Sequence, residues 1–137
     1  IDKILKAYEV PTNRHDFVVV EGVGGLMVPI DDTLFVADLA CKMDLPLVIV
    51  SRDYLGTINH TLLTIEYARN RNLRIKGIVI NMLKNEDGLV REIEKYSSAP
   101  VLGTIPFKEN VSVENCVYGD IVEDFRREID ISKIMRK

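Results

Sequence analysis

The chain has 137 residues, 47% apolar and 28% charged, which suits one soluble-type domain with a buried core. Its net charge of −3 and scattered basic residues argue against the clustered positive footprint of a nucleic-acid binder. No stretch reaches the roughly 20 apolar residues of a membrane span, and the first residues lack a basic-then-apolar signal pattern. Cys41 and Cys116 lie far apart without metal-ligand spacing and read as reduced thiols, which fits a cytoplasmic setting. The first residue is Ile1 rather than Met, so the sequence reads as a fragment or a processed piece.

In chain order, Ile1, Ile4, Leu5 and Tyr8 recur at helical spacing, and Pro11, Thr12 and Asn13 break that pattern. Continuous apolar runs follow at residues 17–20, 45–50, 75–80 and 101–105. Continuous rather than alternating apolarity predicts strands buried on both faces. Helical patterns separate them at residues 35–43, 58–71 and 88–96, and a last helix is predicted over 120–135. The order β-α-β-α-β-α-β predicts an α/β fold with a doubly wound, mostly parallel sheet and helices on both faces. Residues 1–137 read as a single domain, without linker, repeat or low-complexity segment.

Ligands of such a sheet bind beyond the carboxyl ends of its strands. The predicted strands end at Glu21, Ser51, Asn81 and the pair Ile105-Pro106, so three of them deliver a hydrogen-bonding residue to one edge. Glu21 has the strongest chemistry: its carboxylate could hold Mg²⁺, which takes few protein oxygens and shares the rest with water and phosphate. The following Gly22-Val23-Gly24-Gly25 lets backbone N–H groups approach a phosphate, although an acid capping a turn would look the same. Asn81 could read a nucleotide base through its donor and acceptor, or simply bond its own turn. No G-x-x-x-x-G-K-[ST] loop is present in the sequence.

A third group is Asp53-Tyr54-Leu55-Gly56-Thr57-Ile58-Asn59-His60. Gly56 breaks the strand exit and Thr57 is the predicted N-cap of a helix whose free N–H groups suit an anion. His60 has no acid in view and reads as a packing or capping residue; His15 carries no functional reading. Asp31 and Asp32 look like a metal pair, but negative charge complementing the next helix is the better explanation.

Together these residues resemble dethiobiotin synthetase, the ATP-dependent ring-closing enzyme of biotin synthesis. The resemblance runs from about Asp16 through Phe107. It includes V-E-G-x-G-G at residues 20–25, Val28-Pro29, and F-x-A-D-L-A at 35–40. It continues with L-P-x-x-x-V at 45–50, L-G-x-I-N-H at 55–60, Leu62-Leu63-Thr64, Asn81 and L-G-x-I-P at 102–106. The ordered pair V-E-G-x-G-G and L-G-x-I-N-H is specific; either alone also suits cobyrinic acid synthases or the phosphotransacetylase accessory domain.

The resemblance implies a P-loop NTPase-like fold lacking the strand and loop that cradle phosphate. It implies ring closure: 7,8-diaminononanoate takes up CO₂ as a carbamate, ATP with Mg²⁺ phosphorylates it, and the second amine displaces phosphate. Glu21 would be the metal ligand, and Glu21, Gly22, Val23 and Gly24 would line the ATP phosphates. Asn81, Met82, Pro106, Phe107 and Lys108 would hold the nucleotide base. Gly25, Leu55, Gly56 and Asn59 would bind the diamino acid near a homodimer interface, and the family's catalytic lysines would lie outside this sequence. Met82 stands where the family often has arginine, and Lys108 where an aromatic-aliphatic pair is usual. Glu109 or Glu114 would be the downstream acid contacting the base. A catalytically inactive accessory or sensor domain of the same fold is the alternative. No nucleic-acid or membrane partner is expected.

Overall fold

The computed structural model describes residues 1–84 and 88–135. Helix α1 spans Asp2–Thr12, with Pro11 in its last turn and none of its residues buried. Helix α2, Val36–Met43, leads into β1 at Leu47–Arg52. Then come α3 at Thr57–Asn70, β2 at Ile75–Leu83, α4 at Leu89–Ser97 and β3 at Val101–Pro106. Two short helices close the described chain, α5 at Ile121–Glu128 and α6 at Ile131–Met135.

Among the described residues the three strands form one parallel sheet in the order β1-β2-β3. Side chains of β2 alternate between its two faces. Ile78 and Ile80 pack with Ile65 of α3 and Ile93 of α4, all four fully buried. Val79 faces the other way, onto Leu102, Ile105 and Ile129 beside α5 and α6. The continuous apolar run of β2 is therefore explained by helices on both faces, as predicted, whereas Val50 of β1 is 65% exposed. A third cluster, Ala37, Ala68 and Leu73, docks α2 against the end of α3 and the entry to β1.

The first strand expected from the sequence does not form. Residues 17–20 form no strand among the described residues, and Val19 is 80% exposed. Apolarity states what must be buried, but a strand exists only beside a neighbour that completes its hydrogen-bond ladder. The remaining strands fall where expected, each reaching slightly further toward its carboxyl end, and β1 begins at Leu47 rather than Leu45.

The helix expected over 120–135 is interrupted at Ile129, whose backbone is extended (φ −107°, ψ 121°). Ile129 is buried in the lower cluster, and the Asp130 N–H donates to the Leu102 carbonyl at 3.3 Å. A Cβ on Gly103 would overlap the Glu128 carbonyl, so the glycine lets this corner sit directly on β3. Tertiary contact overrides helical periodicity here. No described helix is long and apolar enough to cross a membrane.

Candidate functional site at the carboxyl edge of the sheet

The register aligns Arg52 of β1 with Asn81 of β2, and Leu83 of β2 with Pro106 of β3. The ends of all three strands therefore meet along one edge, which gathers Asn81, Met82, Pro106 and Phe107. The Phe107 N–H donates to the Leu83 carbonyl at 2.9 Å, fixing the exit of β3 beside that of β2. Phe107 remains 42% exposed, with the Lys84 ammonium 5.0 Å from its ring centroid. This is cation–π distance.

Asn81 uses its side chain locally: Oδ1 accepts the Met82 N–H at 2.9 Å. Met82 stands in the left-handed region at φ 56°, an unusual conformation for a side chain of its kind. The strand register shifts between Ile80 and Leu83, so Asn81 and Met82 form a distortion just inside the edge. Among the described residues the Asn81 amide nitrogen has no hydrogen-bond partner. Beyond Pro106, Thr104, Leu83, Lys84, Arg127 and Glu128 complete a depression of about 310 Å³.

Lys108 has its charge engaged elsewhere, with Nζ 2.9 Å from Asp120 Oδ2 and 2.8 Å from Asp124 Oδ2. Asp124 is 3% exposed and also pairs with Arg127 at 2.7 Å. The hydrogen bond that Lys108 donates to Asp120, then that to Asp124, raises the Lys108 pKa above its ordinary value. Lys108 in turn holds Asp120 below the usual carboxylate range. This ionic group ties α5 to the chain just after Phe107. Glu109 and Glu114 are exposed in the same loop.

At the end of β1, Ser51 is not presented to a ligand. It is 7% exposed, with Oγ 2.8 Å from Thr57 Oγ1 and 2.7 Å from Thr61 Oγ1. Thr57 spends its hydroxyl in that cluster, and Gly56 (φ 92°) is the N-cap of α3 in its place. The turn that follows β1 opens a cleft of about 730 Å³ whose lining includes Asp53, Leu55, Gly56, Asn59 and Leu89. Leu55 is 99% exposed and Asn59 lies exposed in the first turn of α3. His60 has a partner after all, a phenol rather than an acid: Tyr54 Oη lies 2.6 Å from Nδ1.

Glu21 and the glycines after it lie in exposed coil. Gly24 has φ 70°, and a Cβ there would come within 2.8 Å of Val28 Cγ2, so this turn requires glycine. Val36 and Ala37 donate their N–H groups to the carbonyls of Val28 and Leu26, both at 3.0 Å. The loop thereby satisfies the first turn of α2, and it carries Gly22 against Val36. Asp38 accepts the Phe35 N–H at 2.8 Å and pairs with Arg71, so the acid of F-x-A-D-L-A is a structural one.

Asp31 serves a turn rather than the dipole of α2. Its Oδ1 accepts the N–H groups of Thr33 at 2.8 Å and Leu34 at 3.0 Å. The Thr33 backbone bond is the main reason its pKa is lowered. Among the described residues no group of three or more His, Cys, Asp or Glu side chains could hold a metal. Two arrangements had no sequence signal: the hydroxyl cluster around Ser51 and the ion pairs around Asp124. Each joins residues whose pairing depends on the folded chain.

A parallel sheet flanked by helices on both faces, with its strand ends opening to turns at one edge, defines an open α/β domain. The chain belongs to the AAA domain family, whose profile matches residues 1–115. It is 42% identical to the ATP-dependent dethiobiotin synthetase BioD of Bacillus velezensis, an alignment covering 90% of this chain and 53% of that protein. The protein of the same name from Anoxybacillus flavithermus is 46% identical, with 76% of this chain and 50% of the relative covered. That of Nitrosopumilus maritimus is 34% identical over 99% of this chain and 59% of its own length. The chain thus spans about half the length of the curated relatives it matches.

Proposed function

We propose that the intact protein is an ATP-dependent dethiobiotin synthetase, closing a ureido ring from 7,8-diaminononanoate, CO₂ and ATP. The observation that carries this reading is the alignment of Asn81, Met82, Pro106 and Phe107 at adjoining strand ends, beside the Leu55, Gly56 and Asn59 turn. Relatives named as dethiobiotin synthetases support the choice of reaction.

In this reading Asn81, Met82, Pro106 and Phe107 hold the base, with the Asn81 amide nitrogen donating to adenine N1, an acceptor that is replaced by an N–H in hypoxanthine, and Phe107 as the apolar wall. Lys108 contributes by fixing that corner through Asp120 and Asp124. The exposed Leu55, Gly56 and Asn59 turn, with Gly25, holds the diamino acid, whose carboxylate meets N–H groups at the start of α3. Glu21, Gly22, Val23 and Gly24 face the phosphates. One exposed carboxylate beside glycine N–H groups suits Mg²⁺, which needs few protein ligands and would neutralise phosphate charge. Phosphoryl transfer asks mainly for positioning and charge stabilisation, so a site without a His–acid pair is adequate. In this reading the phosphate-cradling loop and catalytic lysines are supplied from outside residues 1–137.

The protein acts in the cytoplasm as a homodimer built around residues 55–60 and α3. Leu55 and Leu63, 99% and 60% exposed, lie outside the α3 face buried against the sheet, which supports a second apolar contact. The test is incubation of the intact protein with labelled bicarbonate, ATP, Mg²⁺ and diaminononanoate. Label in dethiobiotin is expected; absence of labelled product with all substrates present overturns the reading.

A further inference from the structure

The distortion at Asn81 and Met82 is held at both ends by one residue of a neighbouring loop. The Asp53 N–H donates to the Asn81 carbonyl at 3.1 Å. Asp53 Oδ2 accepts the Lys84 N–H at 2.9 Å. Between those two bonds lie Met82 in its left-handed conformation and the Asn81 Oδ1 contact to the Met82 N–H. A left-handed non-glycine residue persists only when its surroundings over-determine it, and the two Asp53 bonds do so here. Asp53 also lines the cleft after β1, so the clamp links that turn to the end of β2.

We propose that Asp53 is a positioning residue that presents the Asn81 amide to the nucleotide base, an inference that rests on the base-binding role of Asn81 given above. Asp53 touches no nucleotide itself. Its side chain fixes the Lys84 N–H and so the path of the chain leaving Asn81. Releasing the Lys84 end lets Met82 relax toward ordinary backbone, which turns the Asn81 amide away. The required group is an acceptor oxygen at Oδ2, not a negative charge. Asparagine at this position can supply that acceptor and alanine cannot.

The experiment measures binding of ATP and inosine triphosphate to the intact protein carrying Asp53→Ala, Asp53→Asn, Asn81→Ala or the Asp53→Ala/Asn81→Ala pair. Asp53→Ala should reduce the preference for ATP over inosine triphosphate by about fivefold, the equivalent of one lost hydrogen bond. Asp53→Asn should restore it, and the double variant should lose no more than Asn81→Ala alone, because both changes act through one amide. An unchanged preference in Asp53→Ala while Asn81→Ala loses it overturns the positioning role and leaves the base-binding role standing. An unchanged preference in both overturns the two together. Amide exchange of the native protein gives a check independent of variant folding: the Lys84 amide should be protected, and rapid exchange there contradicts the clamp.

Discussion

Ser51 Oγ lies 2.7 Å from Thr61 Oγ1, and this buried contact sets where α3 begins relative to the end of β1. With Thr57 2.8 Å away on the same oxygen, three hydroxyls satisfy one another inside the protein. Ser51→Ala leaves two threonine hydroxyls short of a partner and should lower stability by about 1–3 kcal/mol. Because the cluster anchors the turn bearing Leu55, Gly56 and Asn59, the KM for the diamino acid proposed to bind there should also rise. Denaturant titration and steady-state kinetics check the two effects separately.

Asn81→Ala removes both the Met82 bond and the amide proposed to meet the base. ATP affinity should fall by about 1–3 kcal/mol, and inosine triphosphate affinity by clearly less. Calorimetric titration of both nucleotides reads the difference. Equal losses would confine Asn81 to shaping its own turn.

Asp124→Asn keeps the side-chain shape and removes the buried charge that faces Lys108 and Arg127. A loss of about 1–3 kcal/mol in unfolding free energy is expected, with the largest rise in amide exchange in α5. The neighbouring pair also predicts a pH profile. Asp120 has a depressed pKa, so its contribution is present above the ordinary carboxylate value of 3.8 and fades as pH falls through its lower folded value. Lys108 has a raised pKa, so its contribution is complete below 10.5 and fades as pH rises through its higher folded value. Between about pH 5 and 9 both stay charged, and the attachment of α5 should be insensitive to pH. Thermal unfolding across that range, with Asp120→Asn as the comparison, tests this.

Glu21→Gln retains volume and loses the charge suited to Mg²⁺. In the intact protein, turnover with ATP should fall by orders of magnitude while circular dichroism stays native. Unchanged turnover at saturating Mg²⁺ would overturn the proposed role of Glu21 as a metal ligand.

Three strands were legible because residues 45–50, 75–80 and 101–105 are continuous apolar runs, although Val50 stays exposed at the edge of the sheet. Residues 17–20 carry the same signal and form no strand, since pairing is a property of two segments and composition describes one. The edge positions of Asn81 and Pro106 followed from where the apolar runs stop. The commitments of their neighbours did not: Ser51 was available to a ligand in sequence and is spent on Thr57 and Thr61 in the fold. Likewise Asp53 and Lys84 are 31 positions apart, and no local pattern announces their bond. Thr57 was a sound N-cap by type, but its hydroxyl has a stronger claim from Ser51, and Gly56 takes the cap. Periodicity also carried the last helix past Ile129, where a backbone bond from Asp130 to β3 bends the chain.

The most direct test of ring closure is the ratio of phosphate released to dethiobiotin formed by the intact protein. Coupled chemistry predicts one phosphate per ring, with release requiring the diamino acid, bicarbonate and ATP together. Phosphate release independent of the diamino acid, or nucleotide binding with no product at all, would contradict a synthetase and favour an accessory domain of the same fold.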